Sequence, residues 1–409
     1  MRIEEKQRLD LLLGWCLLLP LRPLVRLVGK LARRKHGTEP AGEIVVVKMA
    51  GGGSLLLALP ALLGLRRRHP GLPLTVVCGA NVRPFAEAVG LFDRVEVIDD
   101  RGGLPGLLWS GGRVLARLLR RRVDTILDLE VYSVLTTVFS SLTCARNRIG
   151  FYLESTHWRR NVHTHLVFFN RAAGVFHFYE AMVRLLGGGP ASVEDCRAHL
   201  ATRLKQVEAA EGASEALAAL GDEPFAAVGA GCSDLGYVRQ MPVAEWRAFL
   251  RQDAGAATER HWVFLGGAAE REVSEMVARA VAEELGPAQF RYVNLCGKLP
   301  LPCSLAVLQR ARRFVGIDSA LLHAARLLGV PSISFWGPTN PANLLRSMDG
   351  LEEEIHYRPP ICSPCIHVAE TPPCQGDNVC MQLFTCDEPP LALWCEDSTG
   401  ASVRPPVTE

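Results

Sequence analysis

The sequence predicts an α/β protein built from two doubly wound, Rossmann-like parallel sheets facing across a cleft. Three observations carry this. Short apolar strand runs alternate with segments of helical apolar spacing. The alternation occurs twice, over 44–151 and 225–335, with an Ala/Glu/Leu-rich helical stretch between. The chain of 409 residues, 48% apolar and 22% charged, is long enough to bury two cores without disulfide or metal staples.

In the first half, Ile44–Lys48, Leu74–Cys78, Val95–Ile98, Thr125–Leu129 and Arg148–Phe151 read as strands, and Ser54–Arg68 and Leu107–Arg121 as helices. In the second half, Phe225–Val228, Trp262–Leu265, Arg291–Leu295, Phe314–Ile317 and Ser332–Phe335 read as strands. Helical spacing falls at Val243–Arg251, Ala269–Glu284, Leu305–Arg312 and Leu321–Leu328. Ala198–Leu220 reads as a helical linker, and after Gly337 the chain is Pro-, Cys- and acid-rich with little periodicity. The expected organisation is a segment 1–40, a domain 41–197, a linker 198–221, a domain 222–349 and a tail 350–409.

The net charge of +2 excludes a generally basic nucleic-acid binder and an acidic disordered chain. The total conceals an uneven distribution: residues 1–40 carry a net +5, residues 350–409 a net −8 and the middle a net +5. The start combines the apolar run Leu11–Leu21 with Arg22, Arg26, Lys30 and the cluster Arg33-Arg34-Lys35. That run is shorter than the roughly 20 residues a membrane span needs. Its charge follows the apolar stretch, opposite to a signal peptide. It is expected to lie in a membrane interface, with Trp15 and the basic residues suited to anionic headgroups. The alternative is a helix packed on the protein's own surface.

In doubly wound sheets ligands bind beyond the carboxyl ends of strands, so the loops there hold the candidate residues. Gly51-Gly52-Gly53-Ser54 follows the first strand and opens a helix, which suits an anion or a close backbone approach; a tight turn needing glycine is the alternative. Asp128 and Glu130 end the fourth strand, where a carboxylate is a general-base candidate; pairing with Arg146 or Arg148 is the alternative. Gly231-Cys232-Ser233 and Arg239 offer small residues and a cation for a phosphate. Asp318 or Ser319 occupies a helix N-cap position, and His323 lies one turn further, so the three can converge on a ligand.

These blocks together resemble glycosyltransferase family 9, the lipopolysaccharide heptosyltransferases. The resemblance runs from about Ile44 to Met381. It rests on the first strand and glycine turn leading into Leu57–Leu62, Val263–Gly267 with Glu270, Leu295-Cys296-Gly297-Lys298, and above all Gly316–Ser319 with His323, Ala324-Ala325 and Gly329-Val330-Pro331. It implies a GT-B fold and an inverting, metal-independent transfer of a sugar from a nucleotide donor such as ADP-heptose to a lipid-linked saccharide. No cofactor is required beyond the donor. Domain 41–197 would then serve the acceptor and domain 222–349 the donor.

By resemblance, Arg239 meets the donor phosphates. Asp318, Ser319 and His323 line the donor pocket, with Gly231, Ser233, Gly297 and Lys298 around it. The turn Gly51–Ser54 faces the acceptor and reacting sugar. The family turn usually ends in Asp, the expected base, where this chain has Ser54. The usual Asp-Ser-Gly reads Asp318-Ser319-Ala320. Glu130 is the replacement base the sequence offers. The expected location is cytoplasmic, peripheral on the inner face of the cytoplasmic membrane. An inactive GT-B protein that binds nucleotide sugar or glycan is the alternative that Ser54 raises.

Cys362, Cys365, Cys374 and Cys380 have the form C-x2-C-x8-C-x5-C. They match the family's C-terminal cysteine motif. The spacing permits a four-thiolate structural zinc and equally a cysteine-rich lid, on which a zinc-dependent interaction module would be a third reading. Cytosolic disulfides are disfavoured. Asn378 and nearby acids offer instead to shape an acceptor site.

Overall fold

The computed structural model describes residues 3–31, 35–99, 101–208, 217–218, 220–232, 234–256, 259–366, 368, 372–374, 377–384, 395–396 and 402–403. The chain divides into two compact units, Met1–Arg203 and Leu204–Glu409.

The first unit runs α1 (Ile3–Leu31), β1 (Ile44–Lys48), α2 (Gly53–Arg68), β2 (Leu74–Gly79), α3 (Arg83–Val89), β3 (Arg94–Ile98), α4 (Gly103–Arg121), β4 (Thr125–Asp128), α5 (Val134–Leu142), β5 (Asn147–Tyr152), β6 (His165–Phe168) and α6 (Val175–Leu185). Helix α7 (Val193–Glu208) crosses into the second unit. The six strands form one parallel sheet in the order β3-β2-β1-β4-β5-β6. Strands β1 and β2 are buried along their whole length, as their unbroken apolar runs require of a sheet covered on both faces.

The second unit repeats the plan: β7 (Phe225–Gly229), α8 (Val243–Ala256), β8 (His261–Phe264), α9 (Arg271–Leu285), β9 (Arg291–Asn294), α10 (Leu301–Arg310), β10 (Arg313–Ile317), α11 (Ala320–Leu328), β11 (Ser332–Trp336), α12 (Pro341–Leu344) and β12 (Glu353–Tyr357). Its parallel sheet has the order β12-β11-β10-β7-β8-β9, the same topology counted from β7. Trp246, Trp262 and Phe335 anchor its core. Beyond it lies a short antiparallel pair, β13 (Cys395–Glu396) with β14 (Ser402–Val403). In each sheet the order reverses beside the first strand, between β1 and β4 and between β7 and β10. These are the switch points where doubly wound folds bind ligands.

Four differences from the sequence reading have physical reasons. Strand β12 is polar (EEIHY) and closes an edge, and β6 is only partly buried, so neither shows an apolar run. Helices α3 and α5 are short, and α5 is rich in β-branched residues that mask helical spacing. Helix α1 is far longer than its apolar run: Asp10–Leu31 reaches, by length and composition only, what a membrane span needs, with mean hydropathy 1.8. It lies against α5, with Leu18 and Leu21 packed on Val134, Val138, Trp158 and Val162. Trp15 is partly buried and meets Trp158 edge-on at 6.3 Å. The opposite face leaves Leu11, Leu12, Leu17, Leu19, Leu24, Leu27 and Leu31 exposed. Arg33 and Arg34 lie outside the described residues.

Candidate functional site

At the first switch point, Val47 pairs with Asp128, which brings the residues after β1 beside those after β4. Glu130 Oε1 accepts hydrogen bonds from Met49 N (2.7 Å) and Ala50 N (3.0 Å) and lies 3.2 Å from Lys48 Nζ. Among the described residues no hydrogen bond reaches Oε2. Glu130 therefore clasps the glycine turn with one oxygen and keeps the other open. Lys48 is buried. Burial alone would lower its pKa, but Glu130, Tyr179 and Asp128 together more than offset this and hold it above the usual lysine value. The sequence reading passed over Lys48; its signal was a charge ending the apolar run IVVVK.

The turn itself needs its glycines. Gly51 has φ +72°, and a Cβ on Gly52 would sit 2.0 Å from the Phe85 ring. Gly53 begins α2, whose start has no side-chain cap and no acidic residue in its first turn. Those amide groups suit an anion. Ser54 lies in that first turn, with its hydroxyl near enough to the buried Tyr179 phenol to favour its ionised form. Burial pushes the Tyr179 pKa up, against the lowering effect of Lys48 and Ser54.

A buried polar layer lies beneath. Asp128 is 3.4 Å from both Arg159 and His163, accepts from Thr136 Oγ1 (3.1 Å), and accepts from Glu130 N (3.1 Å). The expected pairing with Arg146 or Arg148 does not form. Arg146 binds Asp124, and Arg148 donates to the carbonyls of Val162 and Ala145. Burial pushes the His163 pKa below its ordinary value. A neutral His163 makes Arg159 the counter-charge for Asp128. Burial raises the Asp128 pKa, but that guanidinium, His163 and the Glu130 amide together hold the carboxyl below its usual range.

At the second switch point, Asp318 is buried; Oδ2 is hydrogen-bonded, while Oδ1 has no hydrogen-bond partner among the described residues. Oδ2 accepts from Arg239 Nη1 (3.1 Å) and Thr339 Oγ1 (2.8 Å), and Oδ1 lies 3.5 Å from His323 Nε2. Burial would raise its pKa, but the Arg239 charge leads the opposing interactions and holds it well below the carboxylate range. Asp318 is thus a hub rather than a cap. Ser319 is the cap of α11, accepting from Leu322 N. Asp318 and His323 come together, while Ser319 Oγ is turned to its own helix. Arg239 keeps a buried Nε without a hydrogen-bond partner among the described residues. Thr339 had no sequence signal, since only the topology brings it to Asp318.

Gly231 packs against Glu270 with no room for a side chain. Gly297 has φ +65°, and a Cβ there would lie 2.5 Å from Ala268. Lys298 is exposed beside it. Ser233 lies outside the described residues. Cys232 Sγ donates to Gly236 O, and burial pushes its thiol up to about 11.

The cysteine-rich segment braces these loops. Asn378 Nδ2 donates to Tyr237 O (2.8 Å) and Gln240 O (3.2 Å), on either side of Arg239. Ser363 Oγ donates to Gly337 O, and Cys365 N to Pro338 O, next to Thr339. Cys362, Cys365 and Cys380 each lie close enough to other thiols of this group for these to oppose their ionisation. Burial first, then the neighbouring thiols, push Cys380 up to about 12. Among the described residues no group of three or more His, Cys, Asp or Glu is placed to hold a metal ion.

The two Rossmann-like units, each with its own switch point, define a protein of the doubly wound α/β class. The family model of glycosyltransferase family 9 (heptosyltransferase) matches residues 114–346, more than half of the chain, and the chain belongs to that family. It is a GT-B glycosyltransferase of heptosyltransferase type. Three solved structures share the fold. A family 9 glycosyl transferase from Veillonella parvula is 18% identical, with TM-score 0.59, over 80% of this chain and 88% of its own. E. coli heptosyltransferase WaaC, solved with ADP, is 17% identical, with TM-score 0.57, over 78% and 93%. E. coli ADP-heptose lps heptosyltransferase II is 16% identical, with TM-score 0.55, over 76% and 92%. No curated protein matches the chain.

Proposed function

We propose that this glycosyltransferase moves a heptose-like sugar from an ADP-sugar to a lipid-linked saccharide of the cell envelope, with inversion. An acceptor hydroxyl oxygen attacks the anomeric carbon while the bond from that carbon to the diphosphate oxygen breaks. The hydroxyl proton passes to Glu130 Oε2. The electron pair leaves on the diphosphate, where Arg239 offsets the growing charge. Ser54 and the amides of the glycine turn position the acceptor or sugar. Gly231, Ser233, Gly297, Lys298 and His323 surround the donor.

The observation that supports this most is Glu130: one oxygen bound to the glycine turn, the other open, at the switch point where the family's usual Asp is replaced by Ser54. The ADP-heptose donor is carried over from the E. coli relatives. We place the enzyme on the cytoplasmic face of the membrane, with the exposed leucines of α1 in the interface and Arg26 and Lys30 on anionic lipid. Zinc on the four tail thiols has no donor geometry behind it, and the proposed reaction uses none.

A thermal-shift screen of ADP-, GDP- and UDP-sugars tests the donor. A bound donor raises stability by mass action, so ADP-sugars should raise Tm and the others should not. A shift with UDP- or GDP-sugars alone would replace the nucleotide. Flotation with vesicles of phosphatidylglycerol tests the location, with Leu12→Glu and Leu24→Glu expected to abolish binding.

A further inference from the structure

Helix α1 is fastened to the loop that carries Glu130. Asp10 reaches the first turn of α5: Oδ1 accepts from Ser133 Oγ (2.5 Å) and Leu135 N (3.1 Å), and Oδ2 from Val134 N (2.7 Å). Ser133 Oγ in turn accepts from Thr136 N (3.1 Å). Helix α5 has no acidic residue in its own first turn, so Asp10 supplies the negative charge from 123 residues away. One turn further along α1, a Cβ on Gly14 would lie 2.5 Å from Val134 Cβ. The two helices therefore meet at a contact that only glycine allows.

The segment from Glu130 to Ser133 joins β4 to α5, and both its ends are held. At one end Glu130 N donates to Asp128 Oδ1 (3.1 Å). At the other, Ser133 binds Asp10 through its hydroxyl and accepts Arg159 Nη2 on its carbonyl (3.2 Å). Arg159 is fully buried and also lies 3.4 Å from Asp128, so one guanidinium links the two ends. Four residues held in this way leave Glu130 little freedom, and a base misplaced by about 1 Å loses much of its effect.

We infer that Asp10 is a positioning residue of the transfer reaction: by capping α5 from a separate helix, it fixes the segment that presents Glu130. The inference rests on Glu130 acting as the base. It makes α1, which lies outside the matched residues 114–346, a working part of the acceptor unit as well as a lipid-facing one.

The test uses the full chain with Asp10→Ala and Asp10→Asn, read by hydrogen exchange over 129–136 and by steady-state kinetics with ADP-heptose. In Asp10→Ala the amides of Val134 and Leu135 should exchange at least about tenfold faster, and kcat should fall by a similar factor with the donor KM unchanged. Asp10→Asn keeps an acceptor oxygen and should recover part of both. Gly14→Leu, which drives α1 off α5, should reproduce the Asp10→Ala pattern and serves if that variant does not fold. Unchanged exchange would overturn the capping role. Faster exchange with unchanged kcat would overturn the positioning role. If Glu130→Gln turns over normally, the Glu130 reading fails by itself, whatever the exchange shows.

Discussion

The two switch points carry the same kind of ion pair, used in opposite ways. Lys48 and Glu130 stand 3.2 Å apart in the first unit, and Arg239 and Asp318 stand 3.1 Å apart in the second. In the second unit the carboxylate is the closed partner. Asp318 is buried and gathers Arg239, Thr339 and His323, while Arg239 Nε has no hydrogen-bond partner among the described residues. In the first unit the cation is the closed partner. Lys48 is buried, and Glu130 keeps an oxygen for a proton. An open cation suits binding a diphosphate, and an open carboxylate suits deprotonating a hydroxyl. On the function proposed above, the same topology separates into a binding half and a proton-handling half.

Breaking the closed carboxylate should have the largest effect. Asp318→Ala leaves the partly buried Arg239 without its counter-charge and should cost the second unit up to about 3–5 kcal/mol. Chemical denaturation checks this, and a loss below about 1 kcal/mol would mean Asp318 is not the hub. Next, Gly52→Ala places a methyl in the Phe85 ring and should cost about 1–3 kcal/mol by overpacking. Normal stability of that variant would show the turn to be looser than the contact implies.

The layer beneath Glu130 joins Asp128 to Arg159 and His163, as Asp318 meets Arg239 and His323 in the second unit, and pH should reveal the first of them. Burial lowers the His163 pKa from 6.5, with Arg159 and Arg148 also opposing protonation and Asp128 favouring it. The unfolded chain therefore binds a proton before the folded one does. The stability from a neutral His163 is complete above about pH 6.5 and is lost as pH falls toward the folded value, by at most about 1.4 kcal/mol per unit. Melting curves from pH 7.5 to 5 should show that slope, and His163→Gln should flatten it. An equal slope in the variant would assign it to other groups. The smallest effect is expected at Ser319→Ala, about 1 kcal/mol for a lost cap, with Arg239 and Asp318 still paired.

Much of this was legible in the sequence. Buried parallel strands such as IVVVK announce themselves by unbroken apolar runs, and the order of glycine turn, Asp318-Ser319 and His323 pointed to the family. Polar edge strands such as EEIHY could not, because an edge strand does not need a fully apolar run. The partners of the site residues were also hidden. Arg159 and His163 lie more than 30 residues beyond Asp128, and Thr339 lies 21 beyond Asp318; only strand order brings them together. Arg146 and Arg148, nearer in sequence, find other partners for the same reason.

The division of labour stands or falls on Glu130→Gln. Glutamine keeps an oxygen for Met49 N and Ala50 N, so it preserves the turn while removing the base. Steady-state turnover of ADP-heptose by this variant should fall about 10²–10⁴-fold, with ADP binding unchanged. Turnover within a few-fold of the native enzyme would contradict the account and return Glu130 to a purely structural clasp.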